Sequence, residues 1–191
     1  MNKTDIQGCL AFLQEAERLK DVLRTANTSQ GRRESTAEHS WRLCLFALLL
    51  EGELPGLDFA RILKMCVIHD LGEALHGDIP AIAQTAGAPD KSLREREDLQ
   101  TLTAPLPPAL RQHLLALWDE YDAAATPEAR IVKGLDKLET MIQHNQGLNP
   151  DGFDYAFNLD YGVRHTAHHP LLAAMRALVD ADTRRRAGGG D

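Results

Sequence analysis

Apolar residues recur every three or four positions along most of the chain, which is the spacing of one face of an α-helix. The segment 24–35, "RTANTSQGRRES", interrupts this pattern with polar and turn-forming residues. No stretch of useful length alternates apolar and polar residues, as a half-buried strand would. The chain is therefore predicted to be all-α, with helices at residues 4–23, 36–51, 59–71, 91–103, 109–121, 127–144 and 170–182.

Short sequence signals mark several helix starts. Ser35 and Glu38 form the S-x-x-E pattern of a capping box, in which each side chain bonds the other residue's backbone N–H. Asp58 is a candidate N-cap for the helix that begins at residue 59. Proline suits the first turn of a helix, where its missing N–H costs nothing, and helices are predicted to begin near Pro108 and Pro127.

The length of 191 residues suits one domain, and no linker or internal repeat divides the chain. We therefore expect a single-domain helical bundle over residues 1–183 and a disordered tail over residues 184–191, "RRRAGGGD". The segment 147–162 is aromatic and is predicted to be a loop, which could cover the core or form an interface.

The composition of 43% hydrophobic and 26% charged residues is ordinary for a soluble globular protein. The net charge of −7 argues against nucleic acid or an anionic membrane surface as a partner. The longest apolar run, residues 43–50, is far shorter than the roughly 20 residues that span a bilayer. The N-terminal sequence does not resemble a signal peptide, so the cytoplasm is the expected location.

The cysteines Cys9, Cys44 and Cys66 are odd in number and contain no CxxC pair. This pattern argues against a disulfide framework and against a thiolate zinc site. Each lies in an apolar stretch, so we expect three buried thiols.

The stretch "VIHDLGEALHGDIP", residues 67–80, concentrates ionisable side chains directly after an apolar run. Asp70 and Glu73 are three positions apart and would share one helix face. Adjacent His and Asp side chains can supply two different ligands to one metal ion. The candidates in this stretch are His69, Asp70, Glu73, His76 and Asp78.

Further ligands would have to come from elsewhere in the chain, and His39 and Asp136 both lie beside apolar helix faces. Each residue alone has an ordinary explanation, because single histidines and aspartates are common on helices. A carboxylate such as Asp136 in an apolar helix needs a partner, either a divalent metal or a buried Arg or Lys. The ordered set His39, His69, Asp70 and Asp136 favours a metal.

The order H…HD…D resembles that of the HD superfamily of metal-dependent phosphohydrolases. The flanking words "RRESTAEHSWRL", "HDLGEALHGDIP" and "VKGLDKLE" are similar to the branch that contains the bacterial 5'-deoxynucleotidase and its eukaryotic relatives. The resemblance covers roughly residues 10–145. It implies an all-α HD-type domain with one divalent transition metal ion, Co, Mn, Fe, Ni or Zn, bound by His39, His69, Asp70 and Asp136.

The resemblance also implies roles for the surrounding residues. Glu73 matches the family's catalytic carboxylate, and Asp78 matches a carboxylate that contacts the sugar or assists water activation. Arg24 matches an arginine that orients the substrate phosphate. Independently of the resemblance, the positive charges of Arg32, Arg33 and Lys137 make them further candidates for phosphate contact, although each alone could be a solvated charge. The expected neighbours of the substrate are Thr25, Ile79, Pro80 and Ala81.

The expected activity is hydrolysis of a small phosphorylated substrate, a (deoxy)nucleoside 5'-monophosphate, by a homodimer. Where the deoxynucleotidase has a Trp after the arginine, this chain has Thr25, which keeps another small phosphate ester open as the substrate. A third hypothesis is a catalytically silent, metal-bound binding protein. Glu73 could then serve only to orient His69 rather than to transfer a proton. His76 could add a ligand, but no second set of histidines points to a dinuclear site.

Overall fold

The computed structural model describes residues 1–79 and 91–188, and the prediction of an all-α fold is confirmed. Within these residues no helix is both long and apolar enough to cross a membrane. Two 3₁₀ turns, Glu17–Lys20 and Glu51–Glu53, accompany the α-helices. The α-helices are α1 Lys3–Ala16, α2 Thr36–Leu49, α3 Phe59–Ile68, α4 Glu73–His76, α5 Lys91–Leu102, α6 Pro108–Asp122, α7 Pro127–Gln146, α8 Phe157–Asp160, α9 Val163–Thr166 and α10 Pro170–Ala187.

The long helix α7 lies at the centre of the molecule and packs against α2, α3, α6, α9 and α10. It is buried on several faces, since apolar side chains such as Val132, Leu135 and Leu138 are fully enclosed. The polar residues Asp136 and Glu139 lie in the same turns and are also buried. Charged groups in this position require partners from the surrounding helices.

The predicted helix starts are confirmed. The Ser35 hydroxyl accepts a hydrogen bond from Glu38 N, and Glu38 Oε2 accepts one from Ser35 N. This capping box fixes the start of α2 one turn before His39. Asp58 caps α3 by accepting from Arg61 N, and Pro108 and Pro127 lie in the first turns of α6 and α7.

The structure corrects the N-terminal prediction, because α1 ends at Ala16 and the chain then forms a small antiparallel hairpin. Its strands are β1 Leu23–Asn27 and β2 Arg33–Ser35, paired in a register that aligns Leu23 with Ser35. Strands of five and three residues are too short to produce a clear alternating pattern. The hairpin matters because it carries Arg24 and leads directly into the cap of α2.

Two further expectations are wrong. Helix α10 continues to Ala187, so residues 184–187 are helical rather than a disordered tail, while residues 189–191 lie outside the described part. Of the cysteines only Cys66 is buried, whereas Cys9 and Cys44 are half-buried; all three are free thiols. The predicted loop 147–162 contains the single turn α8.

A comparison of two leucines on α2 tests where the core lies. Leu43 is 0% exposed and Leu49 is 74% exposed. We expect Leu43→Ala to lower the free energy of unfolding by about 2–5 kcal/mol, because it removes apolar contacts and leaves a cavity. Leu49→Ala should change it by less than about 0.5 kcal/mol. Urea denaturation followed by circular dichroism measures both, and equal losses would contradict this assignment of the core.

Candidate metal centre and active-site cavity

Three helical segments bring histidine and carboxylate side chains to one point. His39 comes from α2, His69 and Asp70 follow α3, and Asp136 comes from α7. His39 Nε2 lies 3.3 Å from His69 Nε2 and 3.2 Å from Asp136 Oδ1. Asp70 Oδ2 lies 3.0 Å from His69 Nε2 and 3.7 Å from His39 Nε2. Three of the four predicted metal ligands, His39, His69 and Asp70, therefore lie mutually close, and Asp136 joins them through its contact with His39.

The far side of each imidazole is fixed by a hydrogen bond. His39 Nδ1 pairs with a carboxylate oxygen of Glu139, and His69 Nδ1 lies 2.9 Å from the carbonyl oxygen of Cys66. A carbonyl and a carboxylate accept hydrogen bonds, so each Nδ1 carries the proton. In the neutral rings both Nε2 atoms then keep their lone pairs, which are directed to the shared point.

This donor set fits a divalent metal ion. Neighbouring ligands at bond lengths of about 2.0–2.2 Å are separated by roughly 3.0–3.6 Å. Three of the donor–donor separations, 3.0, 3.2 and 3.3 Å, lie in that range, and the separation of His39 Nε2 from Asp70 Oδ2, 3.7 Å, is slightly longer. Lone pairs and carboxylates at such distances repel one another unless a metal ion lies between them or a ring nitrogen is protonated. His39, His69 and Asp70 also form a group that could hold a metal by the spacing of their ligand atoms.

The charges around this point are strongly coupled. Burial opposes ionisation of Asp136, but Lys137 and His39 hold its pKa well below the usual range. Burial and Arg24 disfavour the protonated ring of His39, yet Glu139 and Asp136 raise its pKa to about 9. A proton and a metal ion therefore compete for His39 Nε2.

Arg24 is anchored on β1 at the edge of this centre. Its guanidinium donates to Thr140 Oγ1 over 2.9 Å, and Nη1 lies 3.6 Å from Asp70 Oδ2. Its Nε lies 3.5 Å from a carboxylate oxygen of Glu34. The Arg33 side chain donates to the Arg24 carbonyl across the hairpin over 2.7 Å. The arginine is therefore oriented before any ligand arrives.

Glu73, in the first turn of α4, is buried next to a lysine that the sequence did not single out. Lys91 Nζ lies 3.1 Å from Glu73 Oε1 and 3.4 Å from Asp78 Oδ1. The Thr36 hydroxyl donates to Glu73 Oε2 over 3.3 Å. Burial and the charge of Asp70 raise the pKa of Glu73 to about 10, against the opposite effect of Lys91. Glu73 is thus not the hydrogen-bond acceptor that orients His69; that acceptor is the carbonyl of Cys66.

These residues open onto one large cavity of about 1550 Å³. His39 is completely buried behind it, and Pro80 and Ala81 lie outside the described residues. His76 lies elsewhere, because its ring pairs with Asp98. The predicted site residues that line the cavity are Arg24, Thr25, His69, Asp70, Glu73, Asp78, Ile79, Asp136 and Lys137.

Sequence reasoning missed several residues that orient the site. Glu139 could have been suspected, because it lies three positions after Asp136 on a buried helix. Lys91 and Thr140 gave no such signal, since charged and hydroxyl residues on helices are usually solvated. Trp118 Nε1 donates to the His69 carbonyl, and Tyr121 OH donates to Asp136 Oδ2 over 2.8 Å.

Comparison with known proteins identifies the family. The model of the HD domain matches residues 16–176. The chain belongs to the HD-domain family. This confirms the resemblance of the H…HD…D motif.

Individual relatives match over nearly the whole chain. 5'-Deoxynucleotidase HDDC2 of Danio rerio is 30% identical over 97% of this chain and 94% of its own length. The protein of the same name from Homo sapiens is 33% identical, over 92% and 86%. The crystal structure of a predicted metal-dependent phosphohydrolase from Magnetospirillum magnetotacticum MS-1 has a TM-score of 0.80 and 32% identity, and covers 97% of this chain and 98% of that one.

Removal of one hydroxyl tests the coupling between α6 and the HD-domain centre. Tyr121→Phe should lower the free energy of unfolding of the chelator-treated protein by about 1.5–3 kcal/mol, because a charged buried acceptor loses its donor. Tyr155→Phe is the control, since among the described residues the Tyr155 OH pairs with the neutral amide of Asn149. It should cost no more than about 1.5 kcal/mol. Chemical denaturation compares them, and a larger loss in the control would refute the coupling.

Proposed function

We propose that this protein is a metal-dependent phosphohydrolase that converts (deoxy)nucleoside 5'-monophosphates to nucleoside and phosphate. The observation that supports the proposal best is the cluster of His39, His69 and Asp70, whose donor atoms lie 3.0–3.7 Å apart, with Asp136 Oδ1 3.2 Å from His39 Nε2, beside a large cavity. The names of the curated relatives point to the same activity.

We infer that these four side chains hold one divalent ion, chosen from Co, Mn, Fe, Ni and Zn. Two nitrogen and two oxygen donors suit several of these ions, so the ligands alone do not select one. When bound, such an ion supplies two effects: it acidifies a water molecule and neutralises negative charge on a phosphate. Glu139 fixes the ring of His39, and the Cys66 carbonyl fixes the ring of His69.

Arg24 is the proposed phosphate ligand. Its planar guanidinium can bind two phosphate oxygens. Its contacts with Thr140 and Glu34 already hold the side chain in place, so that it loses little conformational entropy when the phosphate binds. Lys137 adds a second positive charge at the same wall, with Nζ 2.8 Å from Asp136 Oδ2. Together these cations would orient the phosphate toward the metal centre.

Glu73 is the proposed proton donor to the leaving oxygen. Its raised pKa favours the protonated carboxyl, and Lys91 can stabilise the carboxylate that remains after transfer. Asp78 and Ile79 would contact the sugar, since both line the cavity near Lys91. The same role for Pro80 and Ala81 stays a prediction from the sequence.

Oligomeric state and location are also proposals. We expect a homodimer, but Phe153, Phe157 and Tyr161 of the suggested interface segment line the cavity. Trp41, Leu45 and Leu48 form a more suitable exposed stripe on α2. The cytoplasmic location stays a prediction from the sequence.

A substrate panel tests the activity. Chelator-stripped protein should release phosphate from dAMP, dGMP and dTMP after addition of Co²⁺, Mn²⁺, Fe²⁺, Ni²⁺ or Zn²⁺, and should release little from 3'-monophosphates. Release only from other esters would keep the mechanism and change the substrate. Absence of release with every ion, from folded protein that binds one, would favour the silent binding protein.

Matched variants separate metal binding from turnover. Glu73→Gln should retain the metal and lower kcat about 100-fold or more, because proton transfer contributes roughly 10²–10⁴-fold. His39→Ala should lose the metal, since it removes one of the four donors. His76→Ala is the control, because His76 is exposed and pairs with Asp98. Metal content by mass spectrometry and phosphate release give both readouts, and a His39→Ala protein with full metal occupancy would overturn the assignment.

A further inference from the structure

One end of the cavity has no role in the mechanism above. Helix α7 lines the whole cavity, with Asp136 and Thr140 beside the metal centre and His144 at the other end, in successive turns. The eight steps along the helix from Asp136 to His144 cover about 12 Å at 1.5 Å per residue. Strand β1 runs along the same cavity from Arg24 to Asn27, about 10 Å at 3.3 Å per residue. A channel therefore extends from the phosphate-binding arginine to His144.

A polar pair lies at this end. His144 Nδ1 is 3.0 Å from Asn158 Oδ1, and both residues line the cavity. Asn158 is 0% exposed, yet its Nδ2 has no hydrogen-bond partner in the described part of the chain. Buried amide groups are normally paired, so this donor is unusual. His144 Nε2 likewise makes no hydrogen bond with the described residues, and burial lowers the pKa of this histidine, which favours the neutral ring.

The pair offers one donor and one acceptor whichever tautomer is present. If His144 Nδ1 donates to Asn158 Oδ1, the free groups are the Asn158 amide N–H and the His144 Nε2 lone pair. If the amide is turned and donates to Nδ1, the free groups are His144 Nε2–H and the amide oxygen. A donor beside an acceptor is complementary to the pairing edge of each nucleobase, which itself carries an acceptor beside a donor.

The segment that carries Asn158 is held rigidly. Arg176 on α10 donates to the carbonyl of Asn158 over 2.9 Å and to that of Tyr161 over 2.7 Å. Phe153 packs edge-on against His144, with 5.0 Å between ring centroids, and also lines the cavity. Such a rigid aromatic and polar corner suits a flat heterocycle, because a base can pack on the aromatic ring and bond through its edge.

We propose that His144, Asn158 and Phe153 form a nucleobase subsite, which makes the base a recognised part of the substrate. The inference rests on the proposed nucleotidase activity and deepens it, because it separates nucleotides from phosphate esters that lack a base. One donor and one acceptor can pair with either a purine or a pyrimidine edge, so the subsite accepts bases broadly.

The test compares substrates with and without a base in the metal-loaded protein. For dAMP and dTMP, Asn158→Leu should raise KM about 3- to 10-fold, the value of one lost hydrogen bond, with little effect on kcat. For 2-deoxyribose 5-phosphate the same variant should leave kcat/KM unchanged. Phe153→Leu is a second variant on a half-buried side chain and should give the same split. Tyr155→Phe is the control, because Tyr155 contacts Phe153 but does not line the cavity.

Equal effects of both variants on the two substrate classes would overturn the subsite while leaving the phosphohydrolase intact. Absence of hydrolysis of every ester would instead refute the proposed function. In that case calorimetric titration with deoxyadenosine, which has no phosphate, decides the question. Weaker binding of deoxyadenosine to Asn158→Leu than to the unaltered protein supports the subsite. Equal binding to the two proteins, or no detectable binding to the unaltered protein, overturns it.

Discussion

The hydrogen bond between His39 and Glu139 is the contact on which the centre depends. Neither side chain is exposed, and they join α2 to α7 in the middle of the core. Because Glu139 accepts the hydrogen bond from Nδ1–H, the lone pair on Nε2 is directed to the opposite side of the ring, toward His69, Asp70 and Asp136. Arg42 donates to the same carboxylate, so Glu139 is not left as an uncompensated buried charge.

Helix α7 extends this arrangement into a cavity with two chemically different ends. Its buried turns carry Asp136 and Glu139, which belong to the candidate metal centre. Two turns later the same helix presents His144, whose neighbours are an amide and an aromatic ring. Since a helix is rigid over this length, the distance between the two ends is fixed by the number of residues between them.

Much of this could be predicted from the sequence, and the reasons for the failures are physical. Amphipathic periodicity and caps at Ser35 and Asp58 gave the main helices, because these signals are local. The motif His39, His69-Asp70 and Asp136 indicated the convergence, since each member sits beside an apolar stripe. Lys91 and the pairing of His144 with Asn158 were missed, because they depend on contacts between segments distant in sequence. The hairpin was missed because its strands are short.

The position of Thr25 has a consequence for how substrate preference could diverge in such proteins. Its neighbour Arg24 is fixed by four separate groups, whereas Thr25 itself is exposed and lines the cavity. A larger or smaller side chain there would reshape the entrance without loosening the bundle. A substitution of Thr25 can therefore change the preference for the sugar or base almost independently of folding, whereas the neighbouring Arg24 is held by contacts that most substitutions would break.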